Sequence, residues 1–115
     1  MVLREDKYYK WDYSEKDDIL NVHARNKKVV GSAELGDFTL DFDKNHNIVG
    51  VEILHFAEFS EQVGITKDQL QQMQRVEILV NNRNPSIAYA VIKVILPNSE
   101  VKFPLPAPIE ACASA

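Results

Sequence analysis

Between residues 38 and 54 the chain changes face at every step. Phe38, Leu40 and Phe42 alternate with Thr39, Asp41 and Asp43. That period of two is the mark of a strand buried on one side. A polar stretch, Lys44-Asn45-His46-Asn47, interrupts the pattern, and Ile48–Leu54 then resumes it. Val49, Val51 and Ile53 fall on one face of the returning run, Gly50 and Glu52 on the other. Two alternating runs around such a turn predict an antiparallel hairpin, with an Asn supplying the left-handed residue.

The rest of the chain extends this theme. Tyr8 to Tyr13 is aromatic and suits a strand; after the polar Ser14-Glu15-Lys16-Asp17, residues 19–24 return as its partner. Arg25-Asn26-Lys27-Lys28 reads as a second polar turn. Residues 29–35 read as a strand with Gly31 as a bulge, and Gly36-Asp37 as a break. The period changes after residue 54. Phe56, Phe59 and Val63 are spaced by three and four, as on one helical face, and Gly64 is a natural stop. Thr66 and Gln69 have capping-box spacing, flanked by Ile65 and Leu70 as a hydrophobic staple. This second helix is expected to run to about Gln74. Residues 76–80 read as a strand and residues 81–85 as a loop. Ile87, Val91, Ile92, Val94 and Ile95 predict a central, well-buried strand. Pro97-Asn98-Ser99 turns the chain into an edge strand over residues 100–103, which Pro104 ends.

The expected fold is α+β, mainly antiparallel hairpins and a meander of about seven strands, with two short helices in the middle. The 115 residues fit one domain, residues 1–115, in which residues 104–115 form a proline-alternating, partly flexible tail. No apolar run reaches the ~18 residues that cross a bilayer, and the first residues lack the apolar stretch of a secretory signal. One cysteine, Cys112, excludes an intrachain disulfide and a multi-cysteine zinc site. A cytoplasmic protein is expected.

Charge is unevenly placed. The net charge is −4, yet residues 37–62 hold six carboxylates against Lys44 alone. Such a patch can steer a basic partner. Nucleic acid is not an expected partner, because phosphate contacts need clustered Lys and Arg. Tyr8, Tyr9, Trp11 and Tyr13 beside Lys7 and Lys10 resemble a single-strand platform, but Asp6, Asp12 and Glu15 interrupt it. These aromatics are read as core or subunit-interface residues.

Two stretches carry a family resemblance. Asp12-Tyr13-Ser14-Glu15-Lys16-Asp17-Asp18-Ile19-Leu20-Asn21-Val22 and the longer run from Gly36 to Leu54 resemble the domain of unknown function 2283 family, in a longer, archaeal-type form. The likeness spans roughly residues 8–59. That family often has Gly where His46 stands. The resemblance implies a small β-rich domain and an antitoxin-like role, and brings no catalytic residues.

Candidate chemistry is sparse. Asp41, Asp43, Asn45, Asn47 and Glu52 mimic the oxygen spacing of a calcium loop. Two features oppose that: His46 stands where the loop needs Gly, and the flanks are strands rather than helices. A β-turn held by Asx-type hydrogen bonds is the expected role. His23, His46 and His55 show no ligand spacing, with or without Cys112, so neither a metal nor any other cofactor is expected. No activated nucleophile or phosphate-cradling glycine loop is visible, so catalytic residues are not assigned. The expected function is a small non-catalytic module that binds itself, as a dimer or higher oligomer, and a basic protein. Asp41, Asp43 and Asn45 are the candidate contacts. The alternative is a small ligand- or metal-dependent enzyme with a pocket between sheet and helices.

Overall fold

The computed structural model describes residues 2–5, 8–81 and 87–108, with side chains over residues 8–79 and 91–105. Among them are nine strands and two short helices in two antiparallel sheets. The first six strands are β1 (Val2–Glu5), β2 (Tyr9–Ser14), β3 (Ile19–Ala24), β4 (Gly31–Leu35), β5 (Phe38–Phe42) and β6 (Ile48–Leu54). They form one sheet in the order β1-β2-β3-β6-β5-β4. Helices α1 (Phe56–Glu61) and α2 (Lys67–Leu70) follow. The chain ends in a meander of β7 (Arg75–Asn81), β8 (Ile87–Leu96) and β9 (Ser99–Pro108), with β8 in the centre as expected.

One apolar core joins the two sheets. The large sheet contributes Trp11, Leu20, Val22, Leu40, Phe42, Val51 and Ile53. The small sheet contributes Val76, Ile78, Ile92, Val94 and Phe103. Each such residue, once fully buried, stabilises the fold by about 1.5–3 kcal/mol relative to exposure. Helix α1 closes the core with Phe56, whose ring meets Tyr13 edge-on at 5.7 Å and Phe103 at 6.0 Å. Tyr9 ties the sheets together by donating its hydroxyl to the Ile78 carbonyl at 2.6 Å.

Several local expectations are corrected. The bulge lies between β5 and β6, where Asp41 pairs with Gly50 but Phe42 pairs with Ile48. The extra residue is Val49. It is buried outside the main core, while Ile48 joins Val51 and Ile53 within it. Gly31 instead opens β4, leaving Val29 and Val30 exposed before the strand. Val63 is exposed because α1 ends at Glu61. Helix α2 is a single turn ending at Leu70, although its capping box forms: Thr66 Oγ1 accepts from the Gln69 amide, and Gln69 Oε1 accepts from the Thr66 amide at 2.9 Å. Strand β1 was not anticipated. The expected loop falls, beyond Asn81, outside the described residues, as do residues 109–115 with Cys112.

The largest correction concerns the prolines. Pro104 does not end β9; the strand continues to Pro108, paired with β8 from Val91↔Pro104 to Ile87↔Pro108. Antiparallel residues point both backbone groups alternately toward and away from a neighbour. A prolyl nitrogen cannot donate, so the ladder runs through Leu105 and Ala107 and the prolines occupy outward positions. This edge of the small sheet therefore lacks alternate N–H donors.

Candidate interaction surface

The β5–β6 turn holds the three residues singled out above. Asp43 Oδ1 accepts the backbone N–H groups of Asn45 and Asn47, both at 2.9 Å, and Oδ2 accepts from Asn47 Nδ2 at 3.3 Å. These bonds, the Asn47 amide first, hold the Asp43 carboxyl below its ordinary value, with a smaller contribution from the charge of Lys27. Asp43 is thus the Asx-type staple of its turn, as expected. The left-handed residue is His46, at φ 63°, rather than an asparagine. A position of that kind favours glycine.

Asp41 points to the outer face of the large sheet. There Lys10, His23, Gly50, Asp41 and Ser32 form one cross-strand row. Ser32 donates to Asp41 Oδ1 at 2.6 Å. Gly50 is the floor between Asp41 and His23: a Cβ there would lie 2.6 Å from Asp41 Oδ2 and 3.0 Å from His23 Cδ2. His46 and His55 stand elsewhere, at a turn tip and before α1. Among the described residues no three His, Cys, Asp or Glu side chains gather around one point.

A node missed by the sequence reading lies at Asp18. This residue is left-handed, at φ 54°, in the β2–β3 turn. Its carbonyl accepts the Phe56 N–H at 3.1 Å and its Oδ1 accepts the Ala57 N–H at 2.9 Å. His55, at the N-cap of α1, makes no side-chain cap, so Asp18 supplies it from another element. Asp18 also accepts the Tyr13 hydroxyl at 2.5 Å. Burial first, then this bond and the charges of Asp18 and Glu15, push the Tyr13 phenol well above its ordinary value. Beside the node is a cavity of about 290 Å³, lined by Tyr13, Glu15, Asp18, Lys67, Leu70 and Gln71 among others.

Two grooves lie at the other end of the sheet. The larger, about 650 Å³, is lined by Tyr8, Arg25, Lys27, Arg75 and Glu77 among others. The smaller, about 300 Å³, is lined by Lys27, Lys28, Asp43, Lys44 and Asn45 among others. They share Asn26 and Lys27. The turn carrying Asp43 and Asn45 therefore has lysines for neighbours.

Residues 10–56 match the model of the family described as a protein of unknown function, DUF2283. The family likeness read from the sequence is thus found over that segment. No curated protein and no solved structure matches the chain. The DUF2283 segment starts inside β2 and ends on Phe56, so it comprises five strands of the large sheet and the residue that opens α1. The helices and the small sheet lie beyond it.

Within the DUF2283 segment, β4 ends the sheet. Only Gly36-Asp37 separates it from β5, so Leu35 and Phe38 close the ladder as a hydrogen-bonded pair. Gly31 and Ala33 share that orientation toward β5. Ser32 and Glu34 therefore turn their backbone N–H and C=O groups outward.

Proposed function

We propose that the protein is a non-catalytic binding module of the cytoplasm that assembles with a second copy through β4. The bare outward edge of β4 carries this reading. An unpaired strand edge is a template for another strand. Antiparallel pairing about a two-fold axis at Ala33 sets Ser32 of each copy opposite Glu34 of the other. Each such pair exchanges both backbone hydrogen bonds, and the Ser32 side chain faces a carboxylate. Shifting the register to put Glu34 against Glu34 would appose like charges. Joined this way, the two large sheets become one, and a regulatory, antitoxin-like role would act through that shared surface.

The enzyme reading has its place in the cavity beside Asp18. It is the weaker one, because the Asp18 carboxylate and the Tyr13 hydroxyl are already committed to each other and to α1. The basic protein partner expected at the hairpin tip gains no support from the lysines beside Asp43.

Light scattering and an engineered disulfide test the assembly. Ala33 would form a non-hydrogen-bonded pair with its own copy, with Cα atoms about 4.5 Å apart, within reach of a disulfide. Ala33→Cys in a Cys112→Ser background should oxidise to a covalent dimer, and the native chain should scatter as two chains at high micromolar concentration. A native chain that scatters as one, with no cross-link from the variant, overturns the reading.

A further inference from the structure

The two grooves gather charge of a sign opposite to that of the whole protein. Among the described residues they are lined by Arg25, Lys27, Lys28, Lys44 and Arg75 against Asp43 and Glu77. The chain as a whole is at −4. The cations come from the β3–β4 connection, the β5–β6 turn and β7, separated in sequence and brought together by the fold. Lys27, Lys28 and Lys44 are exposed and form no ion pair with a described residue. Asp43 does not answer them freely, since its oxygens hold the turn. Arg75 is paired with Glu77, which leaves the lysines as the phosphate-seeking part of the band.

An aromatic ring completes the arrangement. Tyr9, Trp11 and Tyr13 pack on the core, but Tyr8 is 59% exposed and lines the larger groove. Its backbone carbonyl accepts the Arg25 N–H at 2.7 Å, which fixes the ring's strand end beside the basic turn. A base stacks on an exposed tyrosine while its phosphates follow a basic groove, and that combination needs no sequence readout.

We propose that the two grooves form one track for single-stranded nucleic acid, with backbone phosphates on Lys27, Lys28 and Lys44 and a base stacked on Tyr8. The ring distinguishes this occupant from an acidic peptide, which would use the cations and leave the tyrosine idle. The proposal stands apart from edge assembly at β4, since none of the groove residues named lies on that strand.

Fluorescence anisotropy of a labelled oligouridylate of about twelve nucleotides tests it. Contact with three phosphates predicts a slope of about −2 in log affinity against log salt, or about 20-fold weaker binding at ~200 mM than at ~50 mM salt. Lys27→Glu with Lys28→Glu should weaken binding more than about tenfold. Tyr8→Ala should weaken it about tenfold with little change in that slope. These positions are exposed, and thermal melting checks that the variants remain folded. No binding at low salt, or unaltered binding by the charge-reversed protein, overturns the proposal. So does Tyr8→Ala binding as tightly as the native chain, or a polyglutamate of equal length competing as well as unlabelled oligouridylate.

Discussion

The two sheets solve the same problem in opposite ways. Each must end somewhere, and a sheet edge leaves backbone groups unpaired. The large sheet ends on β4, five residues long, with Ser32 and Glu34 turned outward and no proline among them. The small sheet ends on β9, ten residues long, where Pro104, Pro106 and Pro108 remove alternate donors. Its other edge, β7, has the Ile78 carbonyl taken by Tyr9. The small sheet thus has its donors thinned along β9 and one acceptor taken on β7, while the DUF2283 part keeps the β4 border open.

The largest expected effect falls where the two regions meet. Asp18 belongs to the large sheet yet starts the helix that leads to the small one. Asp18→Ala removes a cap and leaves the Tyr13 hydroxyl without its acceptor, costing about 2–3 kcal/mol. The melting temperature should fall by roughly 10–15 °C in a calorimetric scan. A fall of only a degree or two would mean that the regions are braced without this node.

A second change makes the closed edge resemble the open one. Pro104→Val with Pro106→Val restores outward N–H groups on β9. Thermal stability should shift by less than about 1 kcal/mol, while light scattering should show new, larger assemblies. If the association state stays as it was, the prolines are not what separates the two edges.

The smallest effect concerns the turn of Asp43. Its carboxyl is held below the ordinary value in the folded chain, so the turn's contribution is present above that ordinary value and is lost as pH falls through the lowered one. Asp43→Asn should flatten this acid limb in melts recorded below about pH 4, and leave melts at neutral pH little changed. An unaltered limb would assign acid sensitivity to another carboxylate.

What could be read from the sequence was local. The hairpin over residues 38–54 was legible because period two reports burial directly. The Thr66–Gln69 box was legible because its partners lie three residues apart. The bulge was not, since Val49 keeps the alternation in sequence that the bulge breaks in space. Prolines that normally end strands misled at Pro104, because an outward edge position costs no hydrogen bond. The basic track was hidden by its composition from distant turns, and Lys44 was counted within an acidic stretch whose Asp43 faces inward on its own turn. The Asp18 cap joins groups 39 residues apart, beyond any capping pattern.

That last separation has a kinetic side. Helix α1 has six residues, too few to persist alone in water. Its first two amides find their acceptors only on a residue that the β2–β3 hairpin has already bent into a left-handed turn. Assembly of this region is therefore sequential, ribbon before helix. In pulse-labelled refolding, the amides of Phe56 and Ala57 should gain protection after those of Asn21 and His23, which face β2, with the hairpin acting as template for its own neighbour.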